Sequence, residues 1–203
     1  MVIATAMMIT SLITQCGSGV DPTTTAAIIK VESGGNPYAI GDNTTRKSYR
    51  FNSKEEAIAA ANYLLNNGHS VDMGLMQINS IHLKSMNLSL DEVFTPCSNI
   101  KIGTSILKGF YKKHNNEPDK NIVLFKALSA YNTGSAWRGE GYINRVLKAA
   151  NSGYRVKLNF APPKPPTKTT NNAAVQSVKI EPENSGLFCS GRGFKTETNP
   201  TAR

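Results

Sequence analysis

A chain of 203 residues has room for one domain of ordinary size and an appendage, and a hydrophobic content of 39% is enough to build a core, which excludes wholesale disorder. The formal charge of +9 favours polyanionic partners: nucleic acid, an anionic membrane surface or an acidic cell-wall polymer. Basic residues come singly or in pairs, such as Arg46 with Lys47 and Lys112 with Lys113, and not in the long run of a dedicated nucleic-acid arm, so no nucleic acid is expected as a partner.

The first thirteen residues, MVIATAMMITSLI, are too short to span a bilayer. Their apolar run could form the core of an export signal, yet no Lys or Arg precedes Lys30 to supply its basic leading region. The spacing of Ile9, Leu12, Ile13 and Cys16 favours the other reading, an amphipathic helix of the folded domain. Asp21 and Pro22 then open a helix that runs to about Ser33 and stops at Gly34. Residues 34–52 read as loop. Ser53 and Glu56 form a capping box for a helix carrying Ala57, Ile58, Ala61, Leu64 and Leu65, closed by Gly68.

SVDMGLMQIN, residues 70–79, shows no clear helical stripe. Ser89 and Glu92 make a second capping box over a short turn. Ile102, Ile106, Leu107 and Phe110 mark the next helix, and Asp119 caps another that carries Ile122, Val123, Leu128 and Tyr131 as far as Asn132–Gly134. A last helix covers Tyr142 to about Ala150. Strand signals are few, with one candidate at Arg155–Asn159. The domain is therefore read as mainly α, over residues 1–160. From Ala161 the chain turns Pro-, Thr- and Asn-rich, so residues 161–203 are read as a linker and a flexible basic tail.

One residue sits oddly in this pattern. Glu32 shares a helix face with Ile28 and Ile29, at the end of the helix where unpaired carbonyls gather negative charge. Apolar surroundings and the helix dipole both disfavour its ionised form, so its pKa is expected to rise and make it a general acid. An outward-facing or ion-paired Glu32 is the competing reading. The three cysteines, Cys16, Cys97 and Cys189, form no Cys-x-x-Cys motif; three separate thiols, or one disulfide and a spare, both fit.

VESGGNPYAIG (31–41), GLMQIN (74–79) and ALSAYNTGS (127–135) occur in that order. Together they resemble the soluble lytic transglycosylase family, whose fold is that of goose-type lysozyme. CGSGVDPTTTAAIIKVESGGNPYAIGDN and GHSVDMGLMQINSIHL are similar to the branch formed by the peptidoglycan-lysing subunits of type IV secretion and conjugation systems. The resemblance spans roughly residues 10–150.

It implies a lysozyme-like domain that cleaves the β-1,4 bond between N-acetylmuramic acid and N-acetylglucosamine, with Glu32 as the single catalytic acid/base and a 1,6-anhydro product. The implied substrate-binding residues are Ser33, Gln77, Asn79, Tyr131 and Asn132. The implied setting is the periplasm, the implied partners are peptidoglycan glycan strands and components of a secretion or conjugation apparatus, and the protein is expected to be a monomer without cofactor.

Cys16 and Cys97 correspond to paired positions in that branch; a disulfide there would close a loop of about 80 residues and contribute on the order of 4–5 kcal/mol. Cys189 is left unpaired. Several side chains keep two readings. Leu75, Met76 and Ile78 fit core or cleft, and Trp137 fits core or a sugar-stacking surface. Asp42 and Asp72 are read chiefly as turn carboxylates, although either one facing Glu32 would open a hydrolytic, muramidase route. A glycan-binding protein without activity is a further alternative. His69, His82 and His114 have no metal-binding spacing, and no metal is expected.

Overall fold

The computed structural model describes residues 2–17, 19–158 and 178–182. In chain order the elements are α1 (Val2–Cys16), α2 (Pro22–Glu32), β1 (Ala39–Asp42), β2 (Lys47–Arg50), α3 (Lys54–Asn66), β3 (Val71–Met73), β4 (Ile78–Asn79), α4 (Ile81–Ser85), α5 (Leu90–Phe94), α6 (Pro96–Lys113), α7 (Lys120–Thr133), α8 (Glu140–Ala149), β5 (Tyr154–Leu158) and β6 (Val178–Pro182). The chain divides into two compact units, one ending at Gly109 and the other beginning at Phe110.

The helix boundaries follow local chemistry. Asp21 caps α2 by accepting from the Thr23 and Thr24 amides, with Pro22 in the first turn. Ser89 and Glu92 make a complete capping box on α5. On α3 the expected box is only half formed: Ser53 accepts from the Glu56 amide, but the Glu56 carboxylate turns to the Asn52 amide. Asp119 caps α7, and Gly134 ends it in the left-handed conformation.

α1 is an amphipathic helix, with Ile13 and Cys16 buried and Thr10, Ser11, Thr14 and Gln15 outward. Its last residue is bonded to Cys97 at the start of α6. Among the described residues no helix is long and apolar enough to cross a membrane.

The stretch read as loop, 34–52, contains two strands. They belong to a four-stranded antiparallel sheet of order β2-β1-β3-β4. Ser48, Gly41, Asp72 and Asn79 form one row across it, and Tyr49, Ile40, Met73 and Ile78 form the next. Because side chains alternate, these rows point to opposite faces. Ile40, Met73 and Ile78 are almost wholly buried, and with Leu64, Val93 and Phe94 they form the first unit's core.

In the second unit α7 and α8 bury Val123, Leu128, Ile143 and Val146. β5 is held on α8 by Asn144, whose amide donates to the Val156 carbonyl (2.8 Å) and whose oxygen accepts from the Val156 amide (2.7 Å), as a neighbouring strand would. β6 lies inside the stretch read as tail and pairs antiparallel with β5, from Tyr154 opposite Pro182 to Leu158 opposite Val178. The rest of that stretch, with Cys189, lies outside the described residues.

Candidate active site

Glu32 is the last residue of α2 and is half-buried. The turn after it is held from three directions. Ser33 is 1% exposed; its hydroxyl donates to the Leu75 carbonyl at 2.8 Å and accepts from the Gly35 amide at 3.2 Å. Its carbonyl accepts from Arg50 Nη1 at 2.9 Å. Asn36 accepts from the Tyr38 amide at 2.7 Å, which turns the chain into β1. The Ser33 hydroxyl is thus committed inside the protein, where it ties the end of α2 to the turn that carries Gln77.

That second turn, Gly74 to Gln77, is held by a residue far along the chain. Asn99 on α6 is 1% exposed, accepts from the Met76 amide (2.8 Å) and donates to the carbonyls of Met73 (3.0 Å) and Val93 (2.7 Å). Gly74 has φ +80, and a Cβ there would lie 2.2 Å from Asn99 Nδ2, so only glycine fits. Leu75, Met76 and Ile78 resolve as core, none more than 1% exposed. Gln77, in the left-handed conformation at φ +49 and half-buried, donates to the carbonyls of Ala39 (3.2 Å) and Gly74 (2.9 Å).

Asn79 lies one strand along. Its amide donates to Asp72 at 2.6 Å, and its oxygen accepts from the Ile81 amide at 3.0 Å, at the start of α4. Asp72 also accepts from Asn43 (2.9 Å). Burial raises its pKa above the ordinary value, against the lowering effect of the Asn43 and Asn79 amides and the charge of His82.

Asp42 points to the opposite, buried face of the sheet and is 2% exposed. Burial works against its ionisation, but the Thr45 hydroxyl, His69 and the Thr45 and Thr44 amides outweigh it and lower the pKa to about 2. An ionised carboxylate only accepts, so His69 Nδ1 carries the proton of their 2.9 Å bond.

In the second unit Tyr131, half-buried, and Asn132, exposed, occupy the end of α7. The loop after them is organised by Ser129, which is fully buried. Its hydroxyl donates to the Ser135 carbonyl (2.6 Å) and accepts from the amides of Arg138 (3.1 Å) and Gly139 (2.9 Å). One face of Trp137 is covered by the Lys126 ammonium, 4.5 Å from the ring centroid, and Lys126 also pairs with Glu117. Among the described residues no group of three or more His, Cys, Asp or Glu could hold a metal ion.

Comparison with known proteins bears on this arrangement. The family model described as "Transglycosylase SLT domain" matches residues 11–152. The chain belongs to the transglycosylase SLT domain family. Its SLT region is similar to "Protein virB1" of Agrobacterium fabrum, 36% identical over 138 residues, which cover 67% of this chain and 56% of that protein. "Type IV secretion system protein virB1" of Brucella suis is 39% identical over 146 residues, covering 68% and 61%. "Invasion protein IagB" of Salmonella typhimurium is 31% identical over 111 residues, covering 53% and 65%. The chain thus spans less than two thirds of the length of each of these relatives. No solved structure matches it significantly.

Three residues that organise the SLT domain were missed by sequence reasoning: Asn99, Ser129 and Arg50. Ser129 lies inside the ALSAYNTGS segment, and a small hydroxyl on a helix otherwise lined by Ala127, Leu128 and Ala130 is a readable signal. Asn99 and Arg50 carry no local signal, because their partners are backbone groups remote in the chain.

Proposed function

We propose that this protein is a periplasmic peptidoglycan lytic transglycosylase that opens the cell wall locally for a type IV secretion or conjugation apparatus. The observation that carries the reading is the SLT match over residues 11–152, with a half-buried Glu32 at the end of α2 joined through Ser33 to the Gln77 turn. The names of the virB1 relatives supply the secretion setting. The net charge of +9 suits a wall polymer whose peptides bear carboxylates.

In this reading the transglycosylase domain spans residues 1–160 and works as a monomer on glycan strands. Glu32, protonated, gives its proton to the glycosidic oxygen between N-acetylmuramic acid and N-acetylglucosamine as the C1–O bond breaks. The resulting carboxylate takes the proton of the muramic-acid C6 hydroxyl, whose oxygen bonds to C1. The acid is regenerated, a 1,6-anhydro end forms, and no water is consumed. Gln77, Asn79, Tyr131 and Asn132 bind the sugar, and Ser33 holds the acid's turn in place.

Glu32→Gln keeps the shape and removes the proton. It should lower muropeptide release from purified sacculi at least ~100-fold with an unchanged fold. Undiminished release would remove the assignment. Asp72 supports the one other reading worth testing, since its carboxyl is half-buried on the face of the sheet opposite the core. As a base for water it would make the enzyme a muramidase. Mass spectrometry of the products distinguishes the two, because hydrolysis leaves them heavier by one water.

A further inference from the structure

The turn after Glu32 has little side-chain substance of its own. Gly34 and Gly35 both have positive φ, +63 and +85, and contribute no side-chain anchor. What holds the turn comes from neighbours. The buried Ser33 hydroxyl is one anchor. Ile9 of α1, whose Cδ1 would lie 2.9 Å from a Cβ on Gly35, is another. The third is the end of β2: Arg50 Nη1 donates to the Ser33 carbonyl at 2.9 Å, and the next residue's carbonyl, that of Phe51, accepts from Asn36 Nδ2 at 3.4 Å.

The Arg50 guanidinium does more than touch this turn. It lies over Gly34, where a Cβ would meet Nη2 at 3.3 Å and Nη1 at 3.6 Å, so the guanidinium fills the side on which any other residue would carry its side chain. The Ser33 carbonyl is among the last carbonyls of α2, which gather the negative end of the helix dipole; a cation there is favoured by charge as well as by the hydrogen bond. Its place in the sheet is fixed by register, opposite Ala39, whose own carbonyl accepts from the Gly74 amide (2.9 Å) and from Gln77. The same strand pair therefore reaches both the turn after Glu32 and the turn that carries Gln77.

We propose that Arg50 is a positioning residue for the reaction assigned to Glu32: its guanidinium clamps the Ser33–Gly34 backbone and so sets where the acid's carboxyl stands relative to the scissile bond. This rests on the transglycosylase reading of Glu32. A side chain that acts only through the acid's backbone should alter the chemical step more than substrate binding, and a displacement of about 1 Å can cost on the order of 100-fold in rate. Lys can supply the charge but not the planar fork that both bonds the carbonyl and covers Gly34.

The test is turnover of purified, uncrosslinked glycan strands by the full chain and by R50A and R50K. R50A should lower kcat at least ~10-fold with KM within about twofold, while the melting temperature changes little, because one exposed charge-assisted bond is lost. R50K should fall between R50A and the unaltered protein. Millimolar guanidinium added to R50A should restore part of kcat, and amide exchange at Gly34 and Gly35 should quicken in R50A. A normal kcat in R50A overturns the proposal. So does a loss that merely tracks the melting temperature and does not respond to guanidinium, since that would be general destabilisation. If the unaltered protein itself releases no product, the transglycosylase reading fails and this role with it. An active protein with an indifferent R50A removes this inference alone.

Discussion

Asp42 and Asp72 stand on paired strands one register step apart, and the sheet treats them oppositely. Asp42, on the core face and 2% exposed, meets four donors that hold it ionised with a pKa of about 2. Asp72, on the other face and less buried, has two amide donors, and burial prevails, so its pKa rises. Depth alone therefore does not decide a carboxyl's charge; the donors aimed at it do. Asp42 is a structural anion that fastens the β1–β2 turn to His69. Asp72 keeps a half-buried carboxyl on the face away from the core.

The largest effect expected from this contrast is on stability. Asp42→Ala leaves the Thr44 and Thr45 amides, the Thr45 hydroxyl and His69 without their acceptor, and should lower the melting temperature by on the order of 5 °C or more. Thermal melts that agree within about 1 °C would break the comparison.

The two acids should next separate by pH. A lowered folded-state pKa gives stability that is present above the ordinary 3.8 and fades as pH falls toward about 2, so the deficit of Asp42→Asn should shrink over that window. A raised pKa works the other way. Ionising Asp72 costs the folded state stability as pH climbs past 3.8, so Asp72→Asn should gain on the unaltered protein as pH rises from there. Denaturant melts across this range should give difference curves of opposite slope; parallel curves would show that the donors do not matter.

A smaller effect is expected on catalysis. Asp72→Asn should still yield the anhydro product, at a rate within a few-fold of normal. A water-bearing product that disappears with this substitution would instead make Asp72 the base of a muramidase. The smallest effect concerns His82, whose pKa is lowered by burial and partly restored by the charge of Asp72. In Asp72→Asn it should fall further, which NMR titration of the ring would detect.

Most helices were readable because their ends are written locally; α4, which has no side-chain cap, was not. Asp21, Ser89, Asp119 and Gly134 act within four residues of their own positions, and the amphipathic spacing in α1 needed no knowledge of the rest of the chain. The sheet was not readable. Its four strands have two to four residues each, too few for an alternating pattern, and include Gly41, Asp42 and Asp72, which are poor strand formers. β6 was missed for a related reason: it sits behind a Pro- and Thr-rich stretch and is specified by its pairing with β5. At the candidate site, Glu32 stood out as a carboxylate at an apolar helix end, and the order of the three motifs identified the family. Leu75, Met76 and Ile78 stayed ambiguous, because side chains of core and of cleft are chemically alike.

The sequence by itself determined the family, the helical frame and the residue on which the chemistry is proposed to turn, because caps, periodicity and short motifs act over a few neighbouring positions. Only the tertiary structure decided how that residue is held: Ser33 reaches 42 positions along the chain to Leu75, Arg50 reaches 17 back to Ser33, and Asn99 reaches 23 back to Met76. Each of those bonds joins a side chain to a backbone group. Every residue carries such a group whatever its type, so the sequence leaves no mark of which one is chosen.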